Sequence, residues 1–389
     1  MHTSFDYVAV VAVLLIQLHL NHHIVVAAKR RLAARQVTLL LWGLGIFSVL
    51  MAGAFALGFS SLVSRYHLPP VPSQILGAVG QIWLFTSCVA WVLYCVFRKL
   101  TARRAGKDFS PTRRRLLNAT STALAAAPFA AVGYGAFIER LNFRVREVEI
   151  PVPDLPTALD GLRLVQLSDI HLSAFLSEKD LARVIDSAND LRAHLAFVTG
   201  DLISAAGDPL DACLCQIARL RSDAGILGCM GNHEEHARAI RYTEQQGARL
   251  GIPFLRQRAH QLRFGDAVLN VAGVDYQKII DRATYLTGAE NLIVPGAYNV
   301  LLSHNPDVFP VAARKGYDLT VSGHTHGGQV TVEILNQSIN AARFFTPYVY
   351  GLYQEGKASS YVTRGIGTIG VPARIGAPPE IALLKLRKA

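Results

Sequence analysis

The sequence predicts an α/β domain preceded by about four membrane-spanning helices. Two observations point there. Four long apolar runs fill the first 137 residues, and from about Leu141 onward short apolar strands each run into a polar or glycine turn, with helix-like stretches between them. A chain of 389 residues that is 51% apolar is also richer in apolar side chains than a purely soluble protein of that length needs to be.

The apolar runs occupy residues 7–28, 37–62, 75–97 and 116–137, and each is long enough, as a helix, to cross a hydrocarbon core of about 30 Å. The first is softened by His19, Asn21, His22 and His23, and the fourth is rich in alanine. Charge sets their orientation. Lys29, Arg30, Arg31 and Arg35 separate the first two runs. Arg98, Lys99, Arg103, Arg104, Lys107, Arg113, Arg114 and Arg115 separate the last two, whereas only Arg65 lies between the second and third. By the positive-inside rule both basic loops are cytoplasmic. The sequence therefore predicts an integral protein of the inner (cytoplasmic) membrane, organised as residues 1–137 in the bilayer and a domain of residues 138–389 on the non-cytoplasmic side. Thr112 to Leu117, T-R-R-R-L-L, reads either as a twin-arginine-like signal or as an ordinary basic flank, and we expect the fourth run to be kept as an anchor.

The net charge of +11 does not imply nucleic acid. Residues 1–137 hold 13 Lys and Arg against Asp6 and Asp108, while residues 138–389 hold 26 basic and 26 acidic side chains. The excess belongs to the membrane part, so no electrostatic footprint for nucleic acid falls on the C-terminal domain. Cys88 and Cys95 lie in the third apolar run. Cys213, Cys215 and Cys229 lack zinc-type pairing and read as small buried residues.

In the domain, strands are predicted at residues 162–167, 195–199, 226–230, 300–302 and 319–321, with helices at 178–191 and 209–219. Such alternation implies an α/β fold whose functional loops gather at strand ends. The polar residues at those ends are S-D-I-H (Ser168 to His171), G-D (Gly200, Asp201), G-N-H-E (Gly231 to Glu234), S-H-N (Ser303 to Asn305) and G-H-T-H-G-G-Q (Gly323 to Gln329). Asp, Asn and His offer oxygen and nitrogen donors suited to Mn, Fe, Co or Zn, without a thiolate among them. The set is rich enough for two divalent ions.

With these motifs the segment from about Arg146 to Lys388 resembles the calcineurin-like metallophosphoesterases, whose pattern is D-x-H, G-D, G-N-H-[DE], H, G-H-x-H. The longer ending G-H-T-H-G-G-Q, with Y-V-T-R-G-I-G-T and P-P-E-I near the C-terminus, resembles the membrane-associated branch that includes UDP-2,3-diacylglucosamine hydrolases of lipid A biosynthesis. The resemblance implies a four-layer αββα sandwich of two mixed sheets flanked by helices. It implies that Asp169, His171 and His326 hold one metal, that Asn232, His304 and His324 hold the other, and that Asp201 bridges both. The glycines around His324 and His326 would let the backbone turn sharply and give phosphate room.

Two cations about 3.5 to 4 Å apart bind phosphate oxygens and lower the pKa of a shared water, so that hydroxide forms near neutral pH and attacks phosphorus in line. His233 would protonate the leaving oxygen, and Glu234 reads either as orienting that imidazole or as a surface residue starting a helix with Glu235 and His236. Arg364 and Arg374 flank a glycine-rich segment and read as solvated arginines or as phosphate clamps. Phe344, Phe345, Tyr348, Tyr350 and Tyr353 read as packing residues or as the lining of an acyl or sugar pocket. The function expected is hydrolysis of a phosphate ester or pyrophosphate, with the bilayer and a phosphorylated small molecule or lipid as partners. Hydrolysis of a UDP-linked lipid A precursor belongs at the cytoplasmic face, in conflict with the charge count. The rival readings are a metal-dependent nuclease and a non-catalytic metal-binding sensor.

Overall fold

In the first unit, four helices form where the sequence is continuously apolar: α1 (His2–Ala28), α2 (Ala34–Leu57), α3 (Pro70–Ala102) and α4 (Pro111–Phe137). The computed structural model describes residues 2–30, 32–58, 68–102, 111–334 and 337–389. Arg31, Arg65, Arg103, Arg104, Lys107, Asp108 and the 59–62 end of the second apolar run lie outside the described residues. Contact density divides the chain into Met1–Ala136 with Gly370–Pro372, and Phe137–Ile369 with Ala373–Ala389.

Among the described residues three helices are long and apolar enough to cross a membrane, Ala34–Leu57, Val71–Thr101 and Arg115–Leu141. The expectation of about four is thus approximate: among the described residues α1 contributes only a shorter apolar stretch, Leu14–Val26. Polar side chains interrupt α1 and turn toward its neighbours. Gln17 Nε2 donates to Ser87 Oγ (3.1 Å), Trp83 Nε1 donates to Gln17 Oε1 (3.2 Å), and Asn21 Nδ2 donates to Ser48 Oγ (2.7 Å). Bonds of this kind join helices where no hydrophobic contrast with lipid is available to do so.

In the second unit, two sheets face each other. One has five strands: β1 (Arg144–Val152), β2 (Arg163–Leu167), β3 (Leu195–Thr199), β4 (Ile226–Cys229) and β13 (Glu380–Lys388), in spatial order β1-β13-β2-β3-β4. The other has six, from β5 (Arg258–Phe264), β6 (Ala267–Gly273), β7 (Tyr298–Leu302), β8 (Leu319–Ser322), β11 (Gly351–Glu355) and β12 (Ala358–Val362), in order β11-β12-β8-β7-β6-β5. A separate hairpin pairs β9 (Thr331–Ile334) with β10 (Gln337–Asn340). The sheets are mixed. β2, β3 and β4 run parallel, as do β6, β7, β8 and β12, while β13 is antiparallel to β2.

The period-two alternation of strands assigns each face its layer. Leu164, Leu195, Phe197 and Leu227 meet Leu269, Val300, Leu319 and Tyr361 in the core between the sheets. Val165, Leu167, Ala196 and Val198 face the other way, onto α5 (Glu178–Asp190) and α6 (Leu210–Ile217), through Leu181, Val184, Ile185, Leu214 and Ile217. On the outside of the second sheet Ala272 and Leu301 pack with Ala312 of α9 (Phe309–Lys315), Tyr285 and Tyr317. The result is the helix-sheet-sheet-helix layering expected. Both faces of the central strands are buried, which is why they read as mainly apolar runs. α7 (Asn232–His236) and α8 (Ile240–Arg249) complete the unit.

Candidate metal centre

Every polar loop singled out in the sequence leaves the carboxyl end of a parallel strand, the place where open α/β sheets bind ligands. β2 delivers Asp169 and His171, β3 delivers Asp201, and β4 delivers Asn232 and His233; β7 delivers His304 and β8 delivers His324 and His326. The loops are stitched to one another by backbone bonds, Asp169 N to Gly200 O (3.1 Å), His171 N to Asp201 O (3.0 Å), Gly323 N to His304 O (3.2 Å) and Ile366 N to Ser168 O (3.0 Å). That stitching holds an uncommon backbone: Asp169, His171, Asp201, His324 and His326 all have φ between 48° and 75°. Left-handed conformations in non-glycine residues cost on the order of 1–3 kcal/mol each and persist where the surroundings over-determine them.

Six of the seven ligands implied by the resemblance fall into two groups whose donor atoms lie within 4.8 Å of one another: Asp169, His171 and His326, and Asp201, His304 and His324. A third group, His171, Asp201 and His233, joins them. Asp201 Oδ2 lies 3.0 Å from His304 Nε2 and 3.6 Å from His171 Nε2, so one carboxylate oxygen faces both halves. Its other oxygen accepts the His233 N–H (2.9 Å). Asp169 is fixed by the His324 N–H at 2.9 and 3.1 Å. Asn232, the seventh, is 8% exposed.

Unsatisfied atoms test the fit to a metal. Buried polar atoms nearly always find partners, yet His171 Nε2 and Asn232 Oδ1 are buried without a hydrogen bond, and His304 Nε2 faces only the Asp201 and Asp169 carboxylates, at 3.0 and 3.9 Å. His304 Nδ1 faces Thr199 O at 2.7 Å. A carbonyl only accepts, so that nitrogen carries the proton and leaves Nε2 as the donor atom. The imidazoles are tuned accordingly. Burial, reinforced by His233, pushes His171 down to about 3, and burial with His304 does the same to His324. His326 falls well below its usual range through burial and the neighbouring His171. Neutral imidazole is the form that binds metal. Burial also works against the imidazolium of His304, but Asp201 outweighs it and holds the ring up at about 10. Burial opposes ionisation of Asp201 as well, and His304 reverses that, keeping the carboxyl well below its usual value. A divalent ion held here would take the place of the proton beside Asp201. The donor set fits divalent ions.

Two glycines owe their identity to close approach. A Cβ on Gly231 would lie 2.1 Å from Asp201 Oδ1, and one on Gly323 would lie 2.2 Å from Asp169 Oδ2. The glycine before G-H-T-H thus makes room for a ligand carboxylate, where the sequence suggested room for phosphate.

Glu234 and the two arginines differ from expectation. Glu234 is fully buried and does not touch the His233 imidazole. Its carboxylate accepts the N–H groups of Gly231 (2.8 Å), Asp201 (3.0 Å) and Leu202 (2.7 Å), so it positions the loop that carries Asp201. His233 is oriented instead by Ser204, whose carbonyl lies 2.6 Å from Nδ1; that nitrogen donates, and Nε2 is left free. Arg374 is completely buried and spends its guanidinium on the carbonyls of Gly367 (3.0 Å), Ala377 (3.0 Å), Arg364 (2.9 Å) and His326 (3.4 Å). It is neither solvated nor available to a phosphate. Burial lowers it to about 10. Arg364 stacks over Tyr350, 4.2 Å from the ring centroid, and its nearest carboxylate, Glu380, is 4.0 Å away. The aromatic cluster splits. Tyr348 and Tyr353 pack edge to face at 5.1 Å, while Phe344 and Phe345 are 87% and 72% exposed.

Two residues of the centre were not singled out from the sequence. Tyr276 Oη lies 3.4 Å from His324 Nε2, and its ring leans on His324 and His304. It follows β6 as the other site residues follow their strands, so the same signal was present in A-G-V-D-Y. Ser204 acts on His233 through its backbone carbonyl, which leaves no trace in side-chain type, and its Oγ lies 3.2 Å from His171 Nδ1.

The Glu234 geometry makes a prediction. In Glu234→Gln one carboxylate oxygen becomes an amide N–H₂ facing backbone donors, and each stranded buried donor costs about 1–3 kcal/mol. We expect a lower thermal midpoint and weaker metal retention without loss of His233. An unchanged melting curve would remove Glu234 from the scaffold of the site.

The layered fold and this donor set define a metal-dependent hydrolase domain. Residues 162–328 match the family described as calcineurin-like phosphoesterase. The chain is 28% identical over 282 residues to the Bacillus subtilis "Uncharacterized metallophosphoesterase YkuE", covering 71% of this chain and 98% of that one. It is 29% identical over 386 residues to a Danio rerio "Transmembrane protein with metallophosphoesterase domain", covering 88% and 79%. A Campylobacter jejuni metallophosphoesterase is 28% identical over 247 residues, covering 62% and 63%. The chain carries a calcineurin-like metallophosphoesterase domain behind membrane-type helices, and is a metal-dependent phosphoesterase.

Proposed function

We propose that this protein is a membrane-anchored hydrolase of a phosphate ester or pyrophosphate in a lipid-linked or envelope substrate, with UDP-2,3-diacylglucosamine as the compound suggested by the resembling branch. Asp169, His171 and His326 would hold one divalent ion, Asn232, His304 and His324 would hold a second, and Asp201 would contribute to both. The observation that carries this reading is the gathering of Asp169, His171 and His326, and of Asp201, His304 and His324, into two groups whose donor atoms lie within 4.8 Å of one another, with Asp201 Oδ2 3.0 Å from His304 Nε2 and 3.6 Å from His171 Nε2. Divalent cations supply positive charge for phosphoryl oxygens and bring the pKa of water toward neutrality.

The chain's own residues then do the following. Asp201 keeps its carboxylate ionised and aimed by the His233 N–H. His233, with Nδ1 committed to Ser204 O, presents Nε2 to the departing oxygen and gives it a proton. Tyr276 and the buried ligand rings restrict water around the phosphoryl group. Arg364, held over Tyr350, is the remaining candidate for contact with a distal phosphate. Balanced charge on residues 138–389 favours a small or lipid substrate over nucleic acid, and the basic loops favour a non-cytoplasmic domain.

The test is the full chain in detergent, loaded with manganese, zinc or iron and assayed on aryl phosphomonoesters, phosphodiesters, UDP-2,3-diacylglucosamine and single-stranded DNA. Metal-dependent turnover of an ester or the pyrophosphate is expected. Turnover of DNA alone would make the protein a nuclease, and tight metal binding with no turnover would make it a sensor. A C-terminal reporter active only in the cytoplasm would reverse the orientation.

A further inference from the structure

One cavity is not used by that chemistry. It encloses about 240 Å³ and opens beside His324, with Ile279, Pro306, Ala342 and Phe345 among its walls. Its polar lining atoms are already committed. Asn305 Nδ2 donates to Gln277 O (2.7 Å) and Tyr285 Oη (3.0 Å), and its Oδ1 accepts from Asp307 N (2.9 Å). Asp307 accepts from Thr346 Oγ1 (2.5 Å) and Arg282 Nη2 (2.9 Å), and Thr325 Oγ1 donates to Val349 O (2.5 Å). What remains for a ligand, apart from the His324 ring, is mainly hydrocarbon surface.

The rim points the same way. Ile279 and Phe345 are 43% and 72% exposed, and their chain neighbours Ile280 and Phe344 reach 89% and 87%. Among the described residues of the second unit only Phe137, at 81%, is comparably exposed. Arg282 Nη2 donates to Phe345 O at 3.4 Å, which ties the two segments together at one edge. Large apolar side chains gathered in the open mark a binding surface.

We infer that this cavity receives a short hydrocarbon segment joined to the phosphoryl group at the metal centre, so that the substrate is an amphipathic phosphate ester whose chain begins next to the scissile phosphate. The inference rests on the phosphoesterase reading above. His324 belongs both to the ligand cluster and to the cavity wall, so phosphoryl group and chain occupy one continuous space. A bilayer surface or a partner protein would cover Ile280 and Phe344 but would not fill a recess ending at a ligand imidazole. The volume lies below the roughly 300–1,000 Å³ of drug-sized sites. It therefore holds the first few carbons, and a longer chain continues out over Phe345.

The experiment uses the full chain in a sterol-based detergent with manganese. Methyl, butyl and octyl phosphates and the matching alkyl p-nitrophenyl phosphates are compared for turnover, and methyl, butyl and octyl phosphonates for binding. We expect kcat/KM and phosphonate affinity to rise about fourfold per buried methylene until the cavity is full. Ala342→Phe, which fills it, lowers the octyl-to-methyl ratio at least about tenfold; Phe345→Ser, at an exposed position that leaves the fold intact, lowers it severalfold. A ratio that is flat along the series, or unchanged in Ala342→Phe, overturns the proposal. So does a result in which Ile280→Asp with Phe344→Asp slows only vesicle-borne esters while Ala342→Phe has no effect, because the edge is then a bilayer contact. If no ester is turned over but octyl phosphonate still binds best, the phosphoesterase reading fails and the apolar cavity stands.

Discussion

Asp201→Ala is expected to abolish turnover and to leave the site unable to hold paired cations. Asp201 Oδ2 is the oxygen placed between His304 Nε2 (3.0 Å) and His171 Nε2 (3.6 Å), whereas Asp169 Oδ1 lies 3.9 Å from His304 Nε2 and 3.4 Å from His326 Nε2. Removing it also strands the His233 N–H and takes away the counter-charge that keeps His304 protonated when metal is absent. Loss of a preorganised electrostatic partner inside an active site costs at least about 10²–10³-fold in rate. Metal analysis of the purified variant, with its turnover, reads the outcome. Asp201→Asn preserves the acceptor for His233 and separates folding from chemistry. If Asp201→Ala kept two equivalents of metal and a measurable rate, the bridging assignment would be lost.

His233→Ala should keep both metals and lose about 10²–10⁴-fold in rate, the usual yield of general acid-base catalysis. The reason is its tautomer. With Nδ1 bonded to Ser204 O, the ring offers Nε2 as the atom that moves a proton. The loss should depend on the leaving group. A p-nitrophenolate departs without a proton, so an aryl ester should suffer much less than an alkyl ester. Equal losses on both would show that His233 places the loop and does not act as the acid. Full activity would remove it from the mechanism.

The strands that carry the centre were legible because both of their faces are buried. In β2, β3, β4, β7 and β8 this leaves short, mainly apolar runs, each stopping at a polar loop. β1 is different. Arg144, Arg146, Glu147 and Glu149 alternate along an edge strand, and its partner β13 lies at the far end of the chain, with Arg144 opposite Glu380. No local pattern announces a pairing across that separation. The same limit applies to Glu234 and Arg374. Both read as surface charges in sequence, and both are fully buried because their charge is spent on backbone groups. Backbone donors and acceptors are the same at every residue, so a side chain that serves them has no signature. Helix α1 shows the opposite case. Asn21 was visible as a break in an apolar run, but only the packing revealed Ser48 as its partner and Gln17, not singled out in the sequence, as bonded to Ser87 and Trp83.

By itself the sequence determined the donor types, their attachment to strand ends, and the membrane-length apolar segments. These properties are local: a residue's chemistry and the periodicity around it are written in adjacent positions. Only the tertiary structure decided that Asp201 faces both halves of the cluster, that Ser204 and not Glu234 aims His233, and that an apolar recess opens beside His324. Each of these depends on loops from separate strands being packed together, some of them more than a hundred residues apart, as His304 and Thr199 show with a separation of 105. That distance is fixed by packing, which no short window of sequence contains.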